Sequence, residues 1–425
     1  DSGWGAGVWN VGEQSTEELR LWTQFNFGED LIFGPREGSL FYWDASVADS
    51  FNARAVLLSS LTGASDVPTS QNNILISDIN RFVFCFGTNP LGSSTNDPML
   101  IRWSDQESAV NWTPAATNQA GSLRLSRGTE IITAAQARQE VLVWTNSSLY
   151  SLQYVGVGSG VWGAQLVGEK ISIASQNSVA SANGVTYWMG KDKFYMYDGR
   201  TQPLSCSLLR YVFTDINTEQ YTQIFGGSNE GFNEVWWFYC SKNSSDIDKY
   251  IIYNYAEDIW YYGSMARSAW LDSGLRDFPL AATYNSRLVN HEEGVDDNET
   301  GTAAAITSFI TSSDFDLDDG HNFMLASRVL PDISFEGSTA TNPVVNMTFF
   351  GLASSGSGYN DPASESGVNT GTVTRSATSP VEVYTTQIHT RVRGRQMVLK
   401  IASSATGVQW QLGAPRLDMR PDGRR

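Results

Sequence analysis

The chain has 425 residues, a formal net charge of −17 and only 17% charged side chains, against 41% hydrophobic and 12% aromatic residues. That composition excludes a disordered chain, and the negative balance disfavours tight binding to a phosphate backbone. Three cysteines with no CxxC spacing argue against a disulfide framework and a zinc site, and no apolar run reaches the roughly 18 residues that span a bilayer.

Taken in chain order, Leu19–Thr23 reads as an outer strand leading into a hairpin over Asp30–Asp44. Residues 45–58 have helical character, and 61–73 are loop chemistry, rich in Ser, Thr, Gly and Asn. Further hairpins follow over Arg81–Asp105, Glu140–Tyr154, Gly184–Gly199, Asn233–Tyr255 and, more weakly, Pro279–Gly294. The clearest copy is GVTYWMGKDKFYMYDG at Gly184–Gly199. Two β-branched and aromatic runs flank a polar turn there, and Asp198-Gly199 punctuates the end. From Trp103 the marker aromatics recur at Trp144, Trp188, Trp237 and Tyr284, a spacing of roughly 40–50 residues that matches β-propeller blades. Leu208–Ile216 reads as a helical connector, and Asp258–Tyr262 as another outer strand.

At His291–Gly301 the sequence turns acidic and glycine-broken, which sets a domain boundary: a propeller over 1–300 and a second β domain over 301–425. The fold expected is therefore all-β, a six-bladed β-propeller followed by a sheet or sandwich domain. Strands are expected at 303–315, 328–335, 344–350, 371–375, 381–386, 397–401 and 408–412, with a long Gly/Ser loop at 351–370. Residues 389–425 carry eight Arg and Lys against two Asp, a basic end on an acidic body. Arg391, Arg393, Arg395, Arg424 and Arg425 are the candidates for a subunit contact there.

Catalytic fingerprints are missing: no GxSxG, HExxH, Walker loop or GxGxxG opening a helix. The three histidines are scattered. Asp314, Asp316 and Asp318 have the alternate spacing of a calcium loop, but Asp319 stands where that loop needs glycine. Phe315 and Leu317 alternate with them, so an amphipathic strand end is the better reading. Ser104, Asp105 and Trp112 in RWSDQESAVNWTP partly fill the Asp-box turn of sialidase-type propellers, a turn-holding device and not a catalytic one. No cofactor is expected, and no enzymatic activity.

Four stretches together carry a resemblance: RWSDQESAVNWTP with AGSLRL, YWMGKDKFYMYDGR, DFDLDDGHNFMLASRVLPDISF, and RVRGRQMVLKIAS with GVQWQLGAPRLDMRPDGRR. Over residues 18–425 the chain resembles the tail nozzle, or tail tubular protein B, family of short-tailed bacteriophages. The resemblance implies a structural virion protein made in the host cytoplasm and built into the tail as a homo-hexameric tube. Its partners would be its own copies, the tail adaptor and the tail fibres, with genomic DNA passing through the lumen and no insertion into a membrane. The competing function is a carbohydrate-binding or depolymerising propeller used for host recognition. A generic, monomeric propeller scaffold is a third.

Overall fold

The computed structural model describes residues 21–47, 52–77, 80–156, 160–274, 276–317, 320–354 and 373–424. It divides into two compact units, 1–272 and 273–425, where the sequence boundary was set at 300.

The first unit is a β-propeller. Among the described residues, five four-stranded antiparallel sheets follow one another, each an up-and-down meander in chain order. Blade one is Trp22–Phe27, Asp30–Pro35, Phe41–Trp43 and Val56–Leu57. Blade two is Asn73–Ile76, Val83–Thr88, Asp97–Trp103 and Gly121–Arg124. Blade three is Ile131–Gln136, Val141–Thr145, Ser148–Gly156 and Val161–Glu169. Blade four is Val179–Ala182, Val185–Met189, Phe194–Tyr197 and Thr201–Pro203. Blade five is Phe225–Asn229, Glu234–Tyr239, Lys249–Asn254 and Ile259–Ser264. The strand Ala269–Leu271 then packs beside the first strand of blade five, as the inner strand of a sixth position.

Blades two to five bury their second strands on both faces, so these read as continuous apolar runs. In Val83–Thr88 the odd residues Val83 and Cys85 pack toward blade one, while Phe84 and Phe86 pack toward blade three. In Val141–Thr145, Val141 and Val143 face blade two, and Leu142 and Trp144 face blade four. The marker tryptophans therefore do not share one face. Trp144 looks forward, whereas Trp188 and Trp237 look back to the preceding blade. Trp103 lies on a third strand, so its equivalent on the second strand of blade two is not a tryptophan.

Two sequence expectations are corrected. Residues 52–58 hold no helix: Val56–Leu57 is the fourth strand of blade one, followed by a single 3-10 turn at Leu58–Ser60 that buries Leu58. The strand at Trp22–Phe27 is the innermost of its blade and not an outer one, with Phe25 packed toward blade two. The connector forms the helix Leu209–Asp215 as expected, and no helix among the described residues is long and apolar enough to cross a membrane.

The second unit is a β-sandwich. One sheet orders Ser308–Thr311, Gln396–Ser403, Val344–Leu352 and Val373–Glu382; the other places Met324–Leu330 between Ile388–Gly394 and Arg416–Pro421. Strict alternation drives the packing. Val345, Met347 and Phe349 from the first sheet meet Met324, Ala326 and Val329 from the second in one core. Ile388–Gly394 and Arg416–Pro421 are strands the sequence does not announce, and Val373–Glu382 is one strand where two were expected. Of the long Gly/Ser loop, 355–370 lies outside the described residues.

Candidate functional site

The first strands of the blades line an open hub cavity of about 480 Å³. Thr23 and Phe25 come from blade one, Asn73 from blade two, and Thr133 and Gln136 from blade three. Gln176, Asn177 and Val179 come from blade four, Phe225 and Gly226 from blade five, and Ala269 and Trp270 from the following strand. None of the described residues that line it is ionisable. Amides, hydroxyls and apolar groups make up this described wall, and it contributes no general acid–base pair.

Amide side chains stitch the hub together. Gln71 Nε2 donates to Pro35 O of blade one at 2.8 Å, and Asn73 Nδ2 to Thr133 Oγ1 of blade three at 2.8 Å. Gln176 Nε2 of the blade-four segment donates to Thr23 Oγ1 of blade one at 2.9 Å, a bond that spans the hub. Asn177 O accepts from Gly226 N at 2.7 Å, and Ser178 O accepts from Trp237 Nε1 at 3.0 Å, both from blade five. The hairpin markers do not point to these residues. A repeated triplet does: Ser70-Gln71-Asn72 and Ser175-Gln176-Asn177 each lead into an inner strand. The amide oxygens of Gln71, Asn72, Asn73 and Gln136 are buried with no protein partner among the described residues, which suits ordered water at the hub.

The partial Asp box is a turn. Ser104 Oγ accepts from Val83 N at 3.0 Å, and Asp105 Oδ1 accepts from Gln106 N at 2.9 Å and Gln119 N at 2.8 Å. Trp112 is buried and donates to Ala109 O. These groups are spent on backbone and on packing.

Glu140 is a well-connected carboxylate at the contact of blades three and four. Its Oε1 accepts from Tyr197 OH at 2.5 Å, and its Oε2 from Ser151 Oγ and from Gln153 Nε2 at 3.1 Å. Partial burial works to raise its pKa, but the hydrogen bonds from Ser151, Tyr197 and Gln153 outweigh it and hold the carboxyl below its ordinary value. Burial and then the Glu140 bond push the Tyr197 phenol up. Burial also raises the Cys240 thiol to about 12, and Cys85 upward likewise, as for cysteines acting as small hydrophobes.

In the second unit, two of the three calcium candidates are described. Asp316 Oδ2 accepts from Gln396 Nε2 at 3.2 Å, Asp314 flanks the bridge of Phe315 to Met397, and Asp318 lies outside the described residues. Phe315 and Leu317 pack on the sandwich core, the amphipathic strand end expected. No cluster of three potential metal ligands occurs among the described residues. Of the basic candidates, Arg391 is exposed, Arg393 binds Asp422, Arg395 reaches Arg424 O at 3.5 Å, Arg424 is exposed, and Arg425 lies outside the described residues.

No family model matches the chain, and no curated protein does. Among solved structures, Hsv2 from Kluyveromyces lactis is 10% identical, with 66% of this chain and 74% of that one covered and a TM-score of 0.38. Hsv2 from Kluyveromyces marxianus is 7% identical, with coverages of 61% and 71% and a TM-score of 0.35. The AfRom2 CNH domain is 10% identical, with coverages of 71% and 91% and a TM-score of 0.36. Similarity this distant bears on no function.

Proposed function

We propose that the chain is a structural subunit of the tail of a short-tailed bacteriophage, part of a nozzle assembled from copies of itself, six in the family it resembles. In this reading it joins the tail adaptor and the tail fibres, and the genome passes through the assembled lumen. The observation that carries the reading over a carbohydrate-processing one is the hub: the cavity where a propeller gathers its inner strands presents no ionisable side chain among the described residues. Glycoside hydrolysis needs two carboxyl groups facing one bond. Four of the tryptophans, Trp112, Trp144, Trp188 and Trp237, are fully buried and so are not sugar platforms.

Mass photometry of the purified chain, followed by negative-stain imaging, tests the reading. Closed rings of uniform copy number are the expected result. A monomer at every concentration that also releases oligosaccharide from host polysaccharide would overturn it in favour of the depolymerising alternative.

A further inference from the structure

The three-stranded sheet of the second unit has a basic outer face that its register defines. Arg393, Leu325 and Arg420 stand in one cross-strand row, and His389, Arg328 and Asp418 in another; Leu330 pairs with Arg416 at the end of the face. The buried partners Met324, Ala326 and Val329 point the other way, into the core. Arg391 alternates with the buried Thr390 and Val392, so it shares the outer face.

The arginines fall into two groups. Arg393 and Arg395 are used within the chain. Arg393 Nε donates to Asp422 Oδ2 at 2.6 Å, and the Arg393 and Arg395 guanidiniums lie 4.2 and 5.2 Å from the centroid of the Phe323 ring. Phe323 N donates to Gly423 O and Asp422 N to Phe323 O, so this group clasps the C-terminal segment. Arg391, Arg416 and Arg420 are exposed and make no ion pair among the described residues.

A complementary surface exists on blade five. The turn at 230–233 lies beside the turn at 255–258, joined by Tyr255 N to Asn233 O at 3.0 Å and Asn254 Nδ2 to Phe232 O at 3.1 Å. Glu230, Glu257 and Asp258 are exposed there. On the same turns and the strand that follows, Phe232, Ile259 and Tyr261 leave 52%, 42% and 39% of their surface in water, apolar surface available to a partner.

We infer that the Arg391, Arg416 and Arg420 face of one copy docks on the Glu230, Glu257 and Asp258 rim of blade five in a second copy. Three features select this occupant. Residues 1–272 carry 28 Asp and Glu against 16 Lys and Arg, so the chain itself supplies the anionic partner. The free cations are all arginine, which grips carboxylates with two parallel hydrogen bonds. The face also carries Leu325 and Leu330 between its arginines and includes Asp418, a mixture that fits an acidic and apolar protein rim better than a phosphate backbone.

The inference rests on the multi-copy reading above, and the test separates the two. The variant Arg391→Glu/Arg416→Glu/Arg420→Glu, checked for folding by circular dichroism, is followed by mass photometry against concentration and salt. Its assembly midpoint moves at least tenfold to higher concentration, Glu230→Lys/Glu257→Lys does the same, and combining the two sets restores assembly. Arg393→Ala/Arg395→Ala leaves the midpoint in place. If the folded triple variant assembles like the parent, or the combined variant is not rescued, the docking surfaces are wrong while the ring survives. A parent that never assembles removes both. Duplex DNA binding by the parent at physiological salt, lost in the triple variant, overturns the docking in favour of nucleic acid.

Discussion

Trp144 and Trp188 meet edge to face across the boundary of blades three and four, with ring centroids 5.2 Å apart and planes at 70°. Trp188 also stacks on Tyr195 of its own blade at 5.2 Å and 12°, and its Nε1 donates to Ser172 O at 3.2 Å. Both tryptophans are fully buried. The contact joins two consecutive sheets that share no backbone ladder, so side-chain packing holds them here, together with the Tyr197 to Glu140 hydrogen bond.

Trp188→Ala should therefore cost about 3–5 kcal/mol in reversible denaturant unfolding, and Trp144→Ala a similar amount. The double variant should cost less than the two together, because each single change already opens the same contact. Independent, additive losses would show that the rings do not share one packing unit.

How much of this was legible in the sequence depends on which face a strand shows. The blades announce themselves because both faces are apolar, as in Val185–Met189 and Glu234–Tyr239. Ile388–Gly394 does not, because every second residue is His or Arg on a solvent face and only the alternate ones reach the core. Charge there reads as a solvated terminus until the pairing with Met324–Leu330 is known. The hub was hidden for another reason. Its residues are short polar runs before the strands, with the same chemistry as any loop, and only the recurrence of Ser-Gln-Asn singles them out. Val56–Leu57 was misread because two residues carry no period at all.

Glu140 gives a pH signature. Its carboxyl is held below its ordinary value when folded, so the unfolded chain binds the proton first as pH falls. Its contribution is complete above the unfolded pKa, roughly 4.3, and disappears as pH drops through the lower folded value. Glu140→Gln should thus destabilise the protein most at neutral pH, and the gap to the parent should close on acidification toward pH 3. Urea midpoints for both proteins between pH 7 and pH 3 measure this, and a gap independent of pH would show that the charge is not what Tyr197 and Ser151 stabilise.

Arg393 is the residue whose loss should be local. Replacing it with alanine removes the Asp422 ion pair and one of the two cations over Phe323. Backbone hydrogen–deuterium exchange should then quicken across 416–424 and stay unchanged in 141–145 and 185–189, since local opening need not unfold a distant sheet. Exchange that quickens everywhere would instead make the clasp part of a global folding unit.

Passage of DNA makes the last expectation. Each copy brings a formal charge of −17, and a duplex carries one negative charge per roughly 1.7 Å of axis. A wall of the same sign has few condensed counterions to release from the duplex, so the strand should slide without being held. The outward arginines are the exception, and three of them gripping phosphate would give a slope of log affinity against log salt of about −3. Fluorescence anisotropy with a labelled duplex at about 0.15 M salt, roughly one Debye length of 8 Å, should detect no binding, and lowering the salt should raise affinity only weakly. A slope near −3 that vanishes when Arg391, Arg416 and Arg420 are reversed would put those arginines against nucleic acid and leave blade five of the neighbouring copy without its partner.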